Sequence, residues 1–330
     1  MEIIPGIHQL QLPIPFTVFG EVGEIVAESN VYLIRGDIGW LLVDTGWDDP
    51  QTFGVLEKGV KQIGISFEDI YQIVVTHFHF DHFGLAGKLR KLSGAKLALH
   101  QKESPFIELR NIPKEQKVQG MKDWLSKNGV PENEIPDTDF SMEMESPDIF
   151  FSGGEKLSTG FFDFEVIWTP GHSPGHICLY ERKRGLLISG DHLIAEITPE
   201  ISLYPLSGSN PLGDYLNSLR NLKKLDVELV LPGHGYHFNY FQRRINEIIQ
   251  HHRERKEAIL EILKDGPMVA YEIASKVPWI PQKGGVLWQE LDSFNRRMAL
   301  METLAHLGLL EEEEKVEKVT APDYWKRNEK

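Results

Sequence analysis

The stretch Thr76-His77-Phe78-His79-Phe80-Asp81-His82 packs three imidazoles and a carboxylate into consecutive turns of chain. It follows the β-branched run Ile73-Val74-Val75-Thr76, too short for a helix and apolar enough for a strand covered on both faces. After it, Leu85, Leu89 and Leu92 recur at helical spacing, and Gly94 is a natural stop. The order is strand, histidine loop, helix. In extended chain, residues two apart project to one side, so His77 and His79 can converge on one point. Where the chain coils, Asp81 and His82 can turn toward a second. Neutral imidazole and carboxylate suit zinc, manganese or iron, and two such ions about 3.5 to 4 Å apart can share a bridging ligand. A lone histidine among the 13 present would signify little. Four ligand-type side chains in an H-x-H-x-D-H spacing just past a strand signify a metal site.

Upstream, Val31-Tyr32-Leu33-Ile34-Arg35 and Trp40-Leu41-Leu42-Val43-Asp44 flank a Gly-Asp-Ile-Gly turn, the pattern of a hairpin. Downstream, residues 103 to 146 are charged and punctuated by proline, with Val118, Met121, Trp124 and Leu125 forming one apolar helix stripe. This segment reads as an insertion or lid. Strand patterns return at Phe164 to Trp168, Ile177 to Tyr180, Gly185 to Ile188 and Glu228 to Leu231, and His172, Asp191 and His234 each fall just past a strand end. Beyond about residue 250 the chain turns helical, through Ala258 to Leu263, Tyr271 to Ala274, and Met298 to Leu307 with an expected end at Gly308. Leu309-Leu310, the acidic run Glu311 to Glu314 and the strand-like Val316 to Val319 complete a pattern resembling a winged helix-turn-helix. The glutamates read as a solvated turn.

The whole chain has 330 residues, room for a large domain and a small one, placed at 1–250 and 251–330. With 35 basic and 49 acidic residues the net charge is −14, which opposes a general attraction to nucleic acid or anionic membranes. Cys178 is the single cysteine, so no intrachain disulfide or cysteine-rich metal site can form. In its apolar strand it reads as packing. Neither a leader pattern nor a long apolar run is evident, and the expected location is cytoplasmic.

The H-x-H-x-D-H box, Thr169-Pro170-Gly171-His172-Ser173-Pro174-Gly175-His176, Ser189-Gly190-Asp191 and Pro232-Gly233-His234-Gly235 together resemble, in order, the motifs of the metallo-β-lactamase superfamily. The resemblance covers residues 1 to about 250. It implies an α/β, four-layer αββα sandwich, with the winged-helix-like tail as a separate small domain. It also implies that His77, His79 and His172 hold a first metal, Asp81, His82 and His234 a second, and Asp191 bridges the two. Asp44 matches an aspartate that supports the metal loop from behind. His8, His100, His176, His192, His237, His251, His252 and His306 are left without ligand roles. His176 and His192 are placed beside ligands, and His251 and His252 on an exposed helix.

The wording of the second motif and the tail helix from Ile245 to Ile259 are most similar to the hydroxyacylglutathione hydrolase-like group, including β-lactamase-like members with a C-terminal winged helix. The resemblance implies a hydrolase with two divalent ions, zinc foremost and iron or manganese as alternatives. A metal-activated hydroxide would attack a thioester, ester or lactone carbonyl of a small molecule, with Asp81 orienting the water. Ile201 to Pro205 are candidates to line the pocket, with Tyr204 as a candidate substrate contact. Endoribonuclease or phosphodiesterase work is the alternative, weakened by a tail with 13 basic and 15 acidic residues in which only Arg296 and Arg297 suggest a groove contact. The tail is instead expected to serve packing or homo-oligomerisation. A mononuclear-iron sulfur dioxygenase uses a similar box. Flavodiiron relatives carry glutamate where His79 stands here, and a non-enzymatic regulator would not need every ligand position filled.

Overall fold

The computed structural model describes residues 1–15, 28–136, 145–279, 286, 288–319 and 323–328. Apolar side chains build two sheets whose central strands are buried on both faces, while the two strands at one edge of the second alternate between buried and exposed residues. The first contains β1 (Glu2–Ile4), β2 (Ile7–Pro13), β3 (Glu28–Arg35), β4 (Trp40–Val43), β5 (Ile70–Val74), β6 (Lys96–His100) and β7 (Ile149–Phe151), in that spatial order. Its strands are antiparallel from β1 to β4 and parallel from β4 to β7. The second contains β8 (Lys156–Ser158), β9 (Asp163–Trp168), β10 (Ile177–Glu181), β11 (Leu186–Gly190) and β12 (Leu229–Pro232), antiparallel except for the β11–β12 pair.

Period-two alternation assigns each residue to a layer. Leu41 and Val43 of β4 join Ile177 and Leu179 of β10 in the core between the sheets. Leu42, between them, faces the helices α1 (Pro50–Ile63) and α3 (Ala86–Ser93), through Leu56, Val60 and Leu89. Cys178 and Tyr180 face the other way, onto α6 (Pro211–Leu222) and α7 (Phe241–Ile262), through Leu212, Tyr215, Ile245 and Ile248. The result is the four-layer αββα sandwich expected from the sequence. The hairpin at 31–44 is the β3–β4 pair. Between β5 and α3, the single turn α2 (Phe80–Phe83) is the coil that follows the histidine loop. Gly94 ends α3 in the left-handed region at φ 70, as expected, but Leu92 is exposed and is not part of the buried stripe.

The segment 103–146 begins with α4 (Ser104–Glu108) and α5 (Lys114–Lys127); its residues 137–144 lie outside the described ones. The α5 stripe does not hang free over the sandwich. Leu125 is buried, and Met121 and Trp124 pack, in the core of the C-terminal elements. These are β13 (Met268–Val269), α8 (Ala270–Lys276), α9 (Ser293–Glu312), β14 (Val316–Val319) and β15 (Tyr324–Arg327), with β15 central in a three-stranded sheet. Residue 250 falls inside the continuous helix α7, which contributes Ile245 and Ile248 to the sandwich and Ile259 to the C-terminal core.

The structure corrects the expected end of the last helix: α9 runs through Gly308 to Glu312. A Cβ at Gly308 would meet only Leu203 and the Ser209 carbonyl at ordinary contact distances, while Leu307, Leu309 and Leu310 on either side are buried. Burial of those leucines outweighs the helix penalty of one glycine. Ala305 and Leu309 pack against the sandwich while Leu300, Leu304 and Leu307 pack in the C-terminal core, so α9 is buried on two sides. Among the described residues no helix is long and apolar enough to cross a membrane.

Candidate metal centre

The histidine loop lies at the C-terminal end of β5, where the ends of β11 and β12 and the loop after β9 also arrive. Three imidazole nitrogens meet there: His77 Nε2 lies 3.0 Å from His79 Nδ1, and His172 Nε2 lies 3.2 and 2.9 Å from the same two atoms. Beside them a second trio forms. His82 Nε2 and His234 Nε2 are 3.2 Å apart, and Asp81 Oδ2 is 3.6 and 3.2 Å from them. Asp191 stands between the trios, with Oδ1 at 3.3 Å from His82 Nε2 and Oδ2 at 3.5 Å from His172 Nε2 and 3.2 Å from His234 Nε2. All seven residues singled out in the sequence are brought together.

Hydrogen bonds behind the rings decide which nitrogens face inward. His172 Nδ1–H donates to the Glu200 carbonyl and His234 Nδ1–H to the Glu28 carbonyl, each at 2.8 Å. His82 Nδ1–H donates to Asp44 Oδ2 at 2.9 Å. The Thr76 hydroxyl donates to the same carboxylate and accepts from His77 Nδ1–H at 3.0 Å. The Nε2 atoms of His77, His82, His172 and His234 therefore face inward: those of His77 and His172, in neutral rings, carry lone pairs, while those of His82 and His234 hold protons, which a bound cation would displace, against the Asp191 and Asp81 carboxylates. Such a converging set of nitrogen and oxygen ligand atoms fits divalent cations, and these residues fall into three overlapping groups that could hold one.

The fourfold motif set and this geometry agree with a direct comparison: residues 26–234 match the family model described as the metallo-beta-lactamase superfamily. The chain belongs to that superfamily. It is similar to the "Probable metallo-hydrolase YqjP" of Bacillus subtilis, 28% identical over 97% of this chain and 95% of that one. It is 29% identical, over 64% of its length and 74% of the relative's, to the human "Acyl-coenzyme A thioesterase MBLAC2". Among solved structures, a metallo-beta-lactamase family protein of Thermus thermophilus, TTHA1429, superposes with a TM-score of 0.84 at 30% identity, covering 99% of this chain and 100% of that one. The similarity to YqjP and TTHA1429 extends beyond the sandwich to the C-terminal elements.

As a metallo-β-lactamase superfamily member the chain has an electrostatically split centre. Burial drives the imidazoles of His77 and His79 down, His79 to about 3, and burial lowers His172 as well, so this trio is neutral near pH 7. Burial also opposes protonation of His82 and His234, but Asp191 and Asp81 outweigh it and raise both, His234 to about 10. Burial would raise the Asp81 carboxyl, yet His82 and His234 hold it below the usual range. Asp81 and His79 are half-buried, and they mark the solvent side of the centre. A small cleft lined by Ile194, Ala195, Glu196, Ile197 and Tyr236 opens beside His234.

Several supports escaped sequence reasoning because they act through backbone or arrive from distant segments. Asn30 Nδ2 donates to the Pro232 and Gly235 carbonyls at 2.9 and 2.8 Å, and the Tyr32 hydroxyl donates to Pro232 O at 2.7 Å, together pinning the loop of His234. Glu103, fully buried, takes a short hydrogen bond from Ser173 Oγ and one of 2.8 Å from Gly175 N, gripping the loop of His172. Its carboxyl is pushed up by burial to about 8. Gly233 is required by proximity, since a Cβ there would sit 2.2 Å from Asp191 Oδ1.

His176 does lie behind the centre: its Nε2 accepts the Asp191 N–H at 3.1 Å and its Nδ1–H donates to Thr169 Oγ1 at 2.8 Å. His192 is buried against Tyr215, with neither ring nitrogen hydrogen-bonded among the described residues. Cys178 is buried, and burial pushes its thiol up to about 12, which suits packing and not nucleophilic attack. Ile201 belongs to the sandwich core, while half-buried Tyr204 packs beside Phe106, which stacks on Phe78 with ring centroids 3.6 Å apart. The expectation that His251 and His252 lie on an exposed helix is overturned. His252 is completely buried where α7 meets α9, and His251 is half-buried.

Proposed function

We propose that this chain is a metal-dependent hydrolase that cleaves an ester-type carbonyl compound, a thioester, ester or lactone of a small molecule, with two divalent ions, zinc foremost. The observation that carries the reading is the donor set itself: five imidazoles and two carboxylates in two trios sharing Asp191, with the inward ring nitrogens oriented from behind. In this reading His77, His79 and His172 hold one ion, Asp81, His82 and His234 the other, and Asp191 both. Bound divalent ions lower the pKa of water toward neutrality and polarise a carbonyl oxygen, which supplies nucleophile and electrophile without a strong base.

The remaining work falls to the chain. Asp81, on the open side and held ionised, orients the attacking water by accepting a hydrogen bond from it. The aromatic side chains of Phe78 and Tyr204, backed by the buried Phe106, line the acyl portion and shield the reacting carbonyl from bulk solvent. The similarity to a relative named as an acyl-coenzyme A thioesterase favours thioesters among these substrates. Nucleic acid is disfavoured by the charge of −14 and by Arg296, whose guanidinium is engaged by Glu134 at 3.2 Å and by the Trp288 carbonyl. The C-terminal winged-helix-like unit serves in this reading to pack the 103–146 insertion and the sandwich together.

The test is elemental analysis of protein purified without added metal, followed by a panel of acyl thioesters, lactones, β-lactams and phosphodiesters. Two equivalents of metal and turnover of a thioester or lactone, lost in Asp81→Asn with metal retained, are expected. A single iron per chain, or turnover of phosphodiesters alone, would overturn the reading.

A further inference from the structure

A second cluster of ligand-type side chains lies where α7 crosses α9, sharing no residue with the centre described above. His251 and His252 come from α7, and Glu302 and His306 from α9. One donor atom from each of His251, His252 and Glu302 lies within 4.8 Å of the others. His252 and His306 are completely buried; His251 and Glu302 are half-buried.

Hydrogen bonding assigns the tautomers. His306 Nδ1–H donates to the Glu302 carbonyl one turn earlier, at 2.8 Å, so its Nε2 holds a lone pair. That lone pair faces His252 Nδ1 at 3.2 Å, which must therefore carry the proton. His252 Nε2 is left as a bare, buried lone pair with no partner among the described residues, and Glu302 Oε1 is likewise buried without a hydrogen bond. Burial keeps the imidazoles neutral, lowering His251 to about 4 and His306 to about 3. The neighbouring cations do not fill the gap. Arg255 reaches Glu302 Oε1 only at 4.0 Å and lies over the Trp279 ring, near the Pro278 carbonyl, while Lys256 pairs with Glu313.

We propose that His252 Nε2, His251 and the Glu302 carboxylate bind a divalent transition-metal ion of zinc-like chemistry at the α7–α9 crossing. Two neutral imidazoles and one carboxylate are a sufficient protein set for such an ion, with water completing the shell through the half-buried side. The Nδ1–H bond to His306 fixes the His252 ring as supporting bonds do for metal-ligating histidines. The ion would brace more than two helices. Met301, next to Glu302, accepts the Leu203 N–H at 3.0 Å, and Leu203 sits in the loop whose Glu200 carbonyl holds His172. The crossing thus links the C-terminal helices to the wall of the main centre.

The test uses the full chain, stripped by chelator, reloaded with zinc ion alone, desalted and assayed for zinc per chain, with circular dichroism to confirm the fold. His251→Asn and Glu302→Gln change the donors with little change of volume, and His251 is half-buried, so the fold is expected to persist. Each variant is expected to hold one zinc fewer per chain than the wild type. The zinc-dependent rise in Tm attributable to the crossing is expected to survive in His79→Ala and to vanish in His251→Asn. Retention of the wild-type zinc number by both folded crossing variants would overturn the proposal. Because the reading is a difference, it is independent of how many ions the main centre holds.

Discussion

Asp44 Oδ2 receives the His82 Nδ1–H at 2.9 Å while Asp44 itself is held at φ 62, a backbone region that non-glycine residues rarely occupy. The same side chain accepts the Thr76 N–H at 2.7 Å and the Thr76 hydroxyl at 2.9 Å. One strained, buried carboxylate therefore ties the end of β4 to the start of the histidine loop and orients rings of both trios, His82 directly and His77 through Thr76. Strain of this kind costs about 1–3 kcal/mol and persists where the surroundings over-determine it.

Replacing Asp44 should therefore weaken metal binding more than folding. Asparagine tolerates the backbone conformation but accepts less strongly from His82 and Thr76. Asp44→Asn is expected to lower metal affinity by roughly 10–100-fold, as loss of such supports does elsewhere. Competition titration with a chromophoric chelator measures it; unchanged affinity would remove Asp44 from the support.

Metal loading should release protons from one trio only. His77, His79 and His172 are already neutral near pH 7, whereas His82 and His234 are protonated in the metal-free chain. Filling the main centre is expected to release about two protons per chain, and affinity should rise with pH up to about 10, the His234 value. Calorimetry in buffers of different ionisation enthalpy counts the protons.

The stability of the metal-free protein follows with opposite signs on the two sides of neutrality. His234, raised to about 10, contributes stability that is fully present below about 6.5 and lost as pH rises toward 10. His79, depressed to about 3, contributes stability present above about 6.5 and lost as pH falls toward 3. The Tm of the stripped protein should therefore pass through a maximum between these arms; a monotonic rise from pH 5 to 9 would contradict the assignment.

Gly233→Ala tests the closest approach in the centre. The added methyl would lie 2.2 Å from Asp191 Oδ1 and 2.8 Å from His82 Cε1, so either the loop or both side chains must move. Loss of bound metal with the fold retained is expected, read by elemental analysis and circular dichroism.

Glu103 offers a control by isostere. Glu103→Ala leaves Ser173 Oγ and Gly175 N buried without an acceptor, at a cost of about 1–3 kcal/mol in stability. Glu103→Gln keeps a carbonyl acceptor for both and should cost much less. Denaturant midpoints distinguish the two, and equal losses would mean that the hydrogen bonds are not the reason for the burial.

The layers of the sandwich and the histidine loop were legible in the sequence because both depend on near neighbours. Alternation along β4 and β10 reports which face each side chain takes. The crowding of His77, His79, Asp81 and His82 marks the loop, although β5 ends at Val74 and the bend after it, not a pleat, brings His77 and His79 together. His172, Asp191 and His234 could be pointed to by motif, but only the tertiary structure brings them beside that loop, because their distances depend on how two sheets pack. The supports from the Glu28 and Glu200 carbonyls had no signature, since every residue carries a carbonyl and only folding aims one. Residues His251 and His252 look polar and exposed until α9 covers them, and Gly308 looks like a stop until burial of its leucine neighbours carries the helix past it. Local periodicity records what a segment does alone; burial by a distant element decides what its polar groups become.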